Sequence, residues 1–210
     1  TKPGANVLTA TVTDELGRTF TYDQAIQVFP VLTLDLNTTA AVHMDEYAEV
    51  TLNTNTDLPV TWKVTPSNDP DTATSYTGSL TVSGGSIQID QAGVYDITAS
   101  VMDATGRVFT SATRSVKVYP IAGLSFTLPA TAWTDSGIPV DLLSSDLADQ
   151  NVTWTLSKDG VPAEMKDYVF GSLNNKGGNI RFTDVGAYTL IATAEDELGR
   201  EYSCSQMVQI

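Results

Sequence analysis

The chain is poor in the residues that staple small proteins or carry catalysis. Of its 210 residues one is cysteine, Cys204, and one is histidine, His43. A lone thiol closes no intrachain disulfide, so packing alone has to stabilise the fold. Cys204 lies in the alternating run Tyr202-Ser-Cys-Ser and reads as a small strand residue rather than a reactive thiol. A single histidine without a second ligand or a nucleophile makes neither a metal centre nor a catalytic base, so His43 reads as a strand or loop residue. The motifs G-x-S-x-G, H-E-x-x-H, Walker and dinucleotide loop are all missing. No window approaches the ~20 continuous apolar residues of a membrane span, and none has the form of a signal peptide.

Basic residues are scarce as well: 11 Lys+Arg face 25 Asp+Glu, a formal charge of −14. The 11 are scattered rather than striped, and a polyanion would be repelled, which excludes nucleic acid as a partner class. Such acidity suits a solvated exterior that keeps molecules apart; calcium or a basic partner is the alternative. A hydrophobic fraction of 41% is enough to build packed cores. The chain opens and closes inside strand-like sequence, the pattern expected of a segment of a longer protein.

What is present is repetition. Aligning TVTDELGRTF, SVMDATGRVF and ATAEDELGREY superposes Asp14, Asp103 and Asp196, then Gly17, Gly106 and Gly199, then Arg18, Arg107 and Arg200. The spacing suits small β-sandwich domains. Val60-Thr-Trp62 answers Val152-Thr-Trp154, Gly84-Gly85 answers Gly177-Gly178, and Gly93-Val-Tyr95 answers Gly186-Ala-Tyr188. Two full copies therefore occupy 31–120 and 121–210, while 1–30 matches only the last third of a copy.

Each phrase follows strict alternation, as in Tyr95, Ile97, Ala99, Val101 and in Tyr188, Leu190, Ala192, Ala194, with Leu8, Ala10 and Val12 in the partial copy. Period two predicts strands with one buried face on either side of the phrase. Asp at the first position of a type I turn accepts bonds from the backbone ahead, and Gly at the fourth takes the left-handed conformation. The phrase is predicted to be a hairpin turn, with its arginine facing a strand neighbour across the hairpin. The alternative for the same carboxylates is a metal, but the middle copy reads Asp103-Ala-Thr, and a calcium site needs six or more oxygens. No amphipathic helix is expected; Asp141-Leu-Leu-Ser-Ser-Asp-Leu-Ala-Asp mimics one yet aligns with strand and loop at Thr51. The fold class is all-β.

Asp184-Val-Gly-Ala-Tyr188-Thr-Leu190 resembles the stretch that opens strand F of immunoglobulin folds, with Leu190 in the place of the cysteine. Tyr95 and Ile97 match likewise, although Gln91 stands where the Asp would be. The resemblance implies tandem immunoglobulin-like sandwiches in which Tyr95 and Tyr188 pin a corner. It puts Trp62 and Trp154 at the strand-C core tryptophan, and Leu52 and Leu142 near the strand-B cysteine. The run Gly-x-Tyr-x-(Ile/Leu)-x-Ala-x-x-x-Asp-x-x-Gly closely resembles bacterial immunoglobulin-like and PKD-type surface repeats. The PKD hallmark WDFGDG and the calcium-ligating linkers of cadherins are absent. The resemblance implies an extracellular, bacterial surface or secreted setting, no cofactor, no catalysis, and neighbouring domains of one chain as partners.

Boundaries fall at Val28-Phe-Pro30 and Val118-Tyr-Pro120, short joints stiffened by proline. Residues 1–30 are expected to be the F–G hairpin of a preceding domain. The first expectation for function is a stalk or spacer; the alternative is an adhesin or carbohydrate-binding module that contacts a glycan or a host protein through loops. Trp133, which stands where the first copy has His43, is the candidate ligand contact, since an indole stacks on sugar rings. Its place beside a first strand predicts instead that it packs into the core.

Overall fold

The computed structural model describes residues 2–147 and 150–210. It opens with a hairpin of β1 (Gly4–Thr13) and β2 (Thr19–Val28). A first sandwich follows: β3 (Leu34–Thr38), β4 (Ala41–His43), β5 (Ala48–Thr54), β6 (Val60–Pro66), β7 (Thr77–Thr81), β8 (Gly84–Gln88), β9 (Gly93–Met102), β10 (Val108–Thr110) and β11 (Arg114–Tyr119). A second contains β12 (Gly123–Thr127), β13 (Ile138–Ser145), β14 (Val152–Lys158), β15 (Val161–Ala163), a single helical turn α1 (Met165–Tyr168), β16 (Val169–Asn174), β17 (Gly177–Phe182), β18 (Ala187–Glu195) and β19 (Glu201–Gln209). The helix-like stretch from Asp141 is strand through Ser145; Ala148 and Asp149 lie outside the described residues.

In the first sandwich a sheet ordered β3-β5-β8-β7 faces one in which β9 carries β6 on one side and β10 and β11 on the other. Strand β4 joins β11 in parallel. The second sandwich repeats the plan, with β12-β13-β17-β16 facing β15-β14-β18-β19. The pleat explains the burial. Strand β9 sends Tyr95, Ile97, Ala99 and Val101 inward, and β18 sends Tyr188, Leu190, Ala192 and Ala194. Each such Ile or Leu contributes about 1.5–3 kcal/mol by leaving water.

The two cores are built alike. Leu52, Tyr95 and Ile97 are buried in the first, with Trp62 packed against them; Tyr188 and Leu190 are buried in the second, with Leu142 and Trp154 packed against them. The indoles of Trp62 and Trp154 donate to the carbonyls of Thr81 and Asn174 at 3.0 and 3.1 Å. The Tyr95 and Tyr188 hydroxyls donate to Gln91 O and Asp184 O at 3.0 and 3.1 Å, closing a tyrosine corner in each sandwich. Burial raises the pKa of both phenols. The paired glycines have a steric cause: a Cβ on Gly84 would sit 2.1 Å from Val50 O, and one on Gly177 would sit 1.9 Å from Val140 O. Cys204 is half-buried on β19 and unpaired, its thiol pKa raised by burial.

Trp133 departs from its expected place. It is 83% exposed and packs in neither core. The parallel pairing of this segment with β19 ends at the Thr131–Gln209 bridge, so Trp133 starts a loop that leaves the pole of the sandwich. The hairpin β1-β2 pairs only with itself in its sheet, and its one face of Leu8, Val12, Phe20, Tyr22 and Ile26 is exposed.

Candidate functional site

The three phrases form the same hairpin turn. In each the glycine N–H donates to the aspartate carbonyl at 2.9–3.1 Å, and glycine φ is +78° at Gly17, +84° at Gly106 and +85° at Gly199. Oδ1 of the aspartate caps the turn from within. It accepts from Leu16 and Arg18 N–H in the first turn, Thr105 and Arg107 N–H in the second, and Leu198 and Arg200 N–H in the third. The Arg18 N–H above all at Asp14, the Thr105 hydroxyl at Asp103 and the His43 ring at Asp196 stabilise the ionised carboxyl beside the backbone bonds, and all three aspartates are held below their ordinary pKa. At Asp196 burial opposes the shift but is outweighed.

What differs is the second carboxylate oxygen and the arginine. Asp14 Oδ2 takes Arg18 Nε at 2.7 Å, so the first turn pairs with itself. Arg107 lies over the Phe109 ring, 4.8 Å from its centroid. The third turn reaches out of its sandwich. Arg200 lies 2.9 Å from the Asp45 carboxylate and 2.6 Å from Glu46 Oε1, on the loop that follows β4 in the first sandwich. The expected strand neighbour across the hairpin is therefore not the partner of Arg200; two acids of the other sandwich outcompete it.

His43 stands between the two bodies. Its Nε2 is 2.7 Å from Asp196 Oδ2 of the second sandwich, and its Nδ1 is 3.1 Å from Glu46 Oε2 of its own loop. The ring is only 3% exposed. Each ring nitrogen thus faces a carboxylate oxygen, one from each sandwich. Glu46 also accepts from the His43 backbone N–H at 3.0 Å, and this bond, followed by Arg200, holds its pKa at about 2 against an ordinary 4.5. Tyr202 adds a hydroxyl bond to Asp196 Oδ2 at 3.1 Å. At the edge, Glu197 accepts from the Tyr119 hydroxyl at 2.7 Å and from Lys117 at 3.3 Å.

Asp196, Gly199 and Arg200, picked out in the sequence as turn residues, thus meet His43 at one joint. Sequence reasoning missed Asp45, Glu46, Lys117 and Tyr119; the only signal was that the turn carries more charge than a turn needs. Trp133 is not at this joint. Among the described residues no three His, Cys, Asp or Glu side chains are placed to hold a metal ion. The recess beside Tyr95, about 220 Å³ and lined by Pro66, Thr74 and Gln91 among others, contains no histidine or cysteine. Chemically the joint is a set of ion pairs and hydrogen bonds whose effect is to fix one body against another.

No protein-family model matches the chain, and no curated protein does. Solved structures do. A mutated variant of a three-Ig titin fragment superposes with a TM-score of 0.56 at 15% identity, over 98% of this chain and 74% of its own. A titin I-band fragment gives 0.51 at 14% identity, over 85% and 65%. At these identities the likeness shows the fold: the chain carries tandem immunoglobulin-like β-sandwiches, and among its described residues no helix is long and apolar enough to cross a membrane.

Proposed function

We propose that the chain is a non-catalytic stalk or spacer segment of a bacterial cell-surface or secreted multidomain protein. Its parts are an F–G hairpin over 1–30, an Ig-like domain over 31–120 and another over 121–210. The hairpin reading is supported by register: with Asp14 on Asp196, the exposed Leu8, Ala10 and Val12 fall on Leu190, Ala192 and Ala194, which face inward on β18. The observation that carries the function is the clasp of Asp196 and Arg200 on His43, Asp45 and Glu46. A spacer works by holding its direction, and a nine-residue strand spans about 30 Å, so each sandwich adds about that much reach. A joint held by charge-assisted bonds beside a proline resists folding back.

Small-angle scattering tests this. The chain at neutral pH is expected to fit one extended conformation, Arg200→Glu to fit a broad ensemble, and Arg200→Glu with Glu46→Arg to recover the narrow one. A wild-type profile that already demands a broad ensemble, unchanged by Arg200→Glu, overturns the reading.

A further inference from the structure

The pole of the first sandwich that receives the clasp has a counterpart at the far pole of the second. The backbone correspondence is close. Lys117 N–H donates to Ala40 O, and Gln209 N–H to Ala130 O, both at 2.9 Å. A turn then closes from Glu46 N–H to His43 O at 3.0 Å, and from Ser136 N–H to Trp133 O at 3.3 Å. Trp133 therefore occupies the position of His43, and Asp135 that of Asp45. Each pole presents a ring N–H donor and, two residues on, a carboxylate.

The first pole is covered by the turn of the second sandwich, which is why His43 is buried. The second pole is bare: Trp133 and Val185 are exposed, and with Ala132, Gln209 and Ile210 they line a shallow recess of about 440 Å³. We propose that this pole is the seat for the Asp-x-x-Gly-Arg turn of a further Ig-like unit following in the same chain. The Trp133 indole N–H takes the place of the His43 ring toward the turn's aspartate, and Asp135 takes the place of Asp45 toward its arginine. The identity of the occupant rests on the spacer reading above.

A second observation comes from the opposite half of such a joint. Asp103 Oδ2 is buried and has no hydrogen-bond partner among the described residues. The equivalent oxygen of Asp196 has two donors, His43 from the neighbouring sandwich and Tyr202 from its own. Phe109 pairs with Val101 as Tyr202 pairs with Ala194, so the first sandwich lacks the hydroxyl as well. In this turn, where the arginine lies on Phe109 and no neighbour supplies a ring donor, the buried carboxylate oxygen stays unpaired, an arrangement that costs free energy until a neighbour is seated. Unmatched halves of the joint thus stand at both places where a further unit would dock.

The far pole is not a replica. Ser136 replaces Glu46 and Gln209 replaces Lys117, so it offers one carboxylate and no ammonium. Its arginine contact is correspondingly weaker, and the apolar area of the indole supplies what charge does not.

The test extends the chain. Residues 119–210 are appended after Ile210, so that Tyr119-Pro120 reproduce the spacing of the existing joint, with Trp133→Phe in the appended copy. Solvent exchange of the native Trp133 indole N–H is followed by NMR. It exchanges freely in the 210-residue chain and is expected to slow at least about tenfold in the extended one. Arg200→Glu in the appended copy removes that protection, and adding Asp135→Arg restores it. Equal exchange in the two chains overturns the proposal. So does a saturable shift of the Trp133 indole when the 210-residue chain is titrated with soluble oligosaccharides, which assigns the pole to sugar. The first joint is read in the same spectra from the His43 ring. If it too is open, the spacer reading has failed; if it is closed while Trp133 stays exposed, only the present inference has.

Discussion

Residues 14–18 and 196–200 are the same pentapeptide, Asp-Glu-Leu-Gly-Arg, at the tip of the same kind of hairpin, and they do different things. Their backbones agree: the aspartate caps two N–H groups, and the glycine is left-handed in both. Their charges part company. Arg18 folds onto Asp14, whereas Arg200 reaches Asp45 and Glu46 and leaves Asp196 to His43. The difference teaches that the turn is a local object and the clasp is not. Arg18 closes on its own aspartate where no second body stands within reach, and Arg200 is drawn away by two carboxylates of the other sandwich.

The largest way to break the pair apart is His43→Ala. It strips Asp196 Oδ2 of a buried charge-assisted bond and should cost about 1.5–3 kcal/mol at the joint. Chemical denaturation should find the second sandwich losing the support of the first, while β1-β2 exchanges amides as before. A second sandwich of unchanged stability would show that the clasp contributes nothing.

Substitution of the turn glycines should bring the copies together again. A left-handed residue with a Cβ costs about 1–2 kcal/mol, so Gly106→Ala and Gly199→Ala are expected to lower the melting of their own sandwiches by similar amounts. A much larger loss at Gly199 would mean that the clasp, not the backbone, sets the turn.

Acid should separate them once more. Glu46 is held at about 2 against an ordinary 4.5, with the shift of Asp196 in the same direction. The largest cause at Glu46, the His43 backbone N–H, lies in its own loop and persists on opening. The Arg200 part at Glu46 and the His43 part at Asp196 exist only in the closed joint, which therefore binds fewer protons than the open one. Its stability is complete above the ordinary carboxylate range and falls as the pH drops toward 2. Scattering at stepwise lower pH should show the two bodies loosening while circular dichroism still reports intact strands. A joint unmoved at pH 3 contradicts this.

The smallest effect belongs to Arg18→Ala. Its pair is exposed and local, so solvent screens it, and hairpin shifts in NMR should move only around Asp14. Any change in the joint on this substitution would deny the independence of the two turns.

The strands and turns were legible in the sequence because both are short-range. Alternation at Tyr188, Leu190 and Ala192 needs only the pleat, and Asp-x-x-Gly needs only its own backbone. Trp133 was not legible: whether a residue next to a first strand turns inward depends on where pairing with β19 stops. His43 was read as an isolated residue because its second partner, Asp196, lies 153 positions away.

By itself the sequence determined the all-β character, the repeat, the buried aromatic in each copy and the geometry of the turns, since neighbours along the chain enforce all of these. The tertiary structure alone decided which carboxylates Arg200 meets, why His43 is dry and why Trp133 is wet. Such contacts join side chains that no local periodicity relates, and they form only when two finished sandwiches are brought pole to pole.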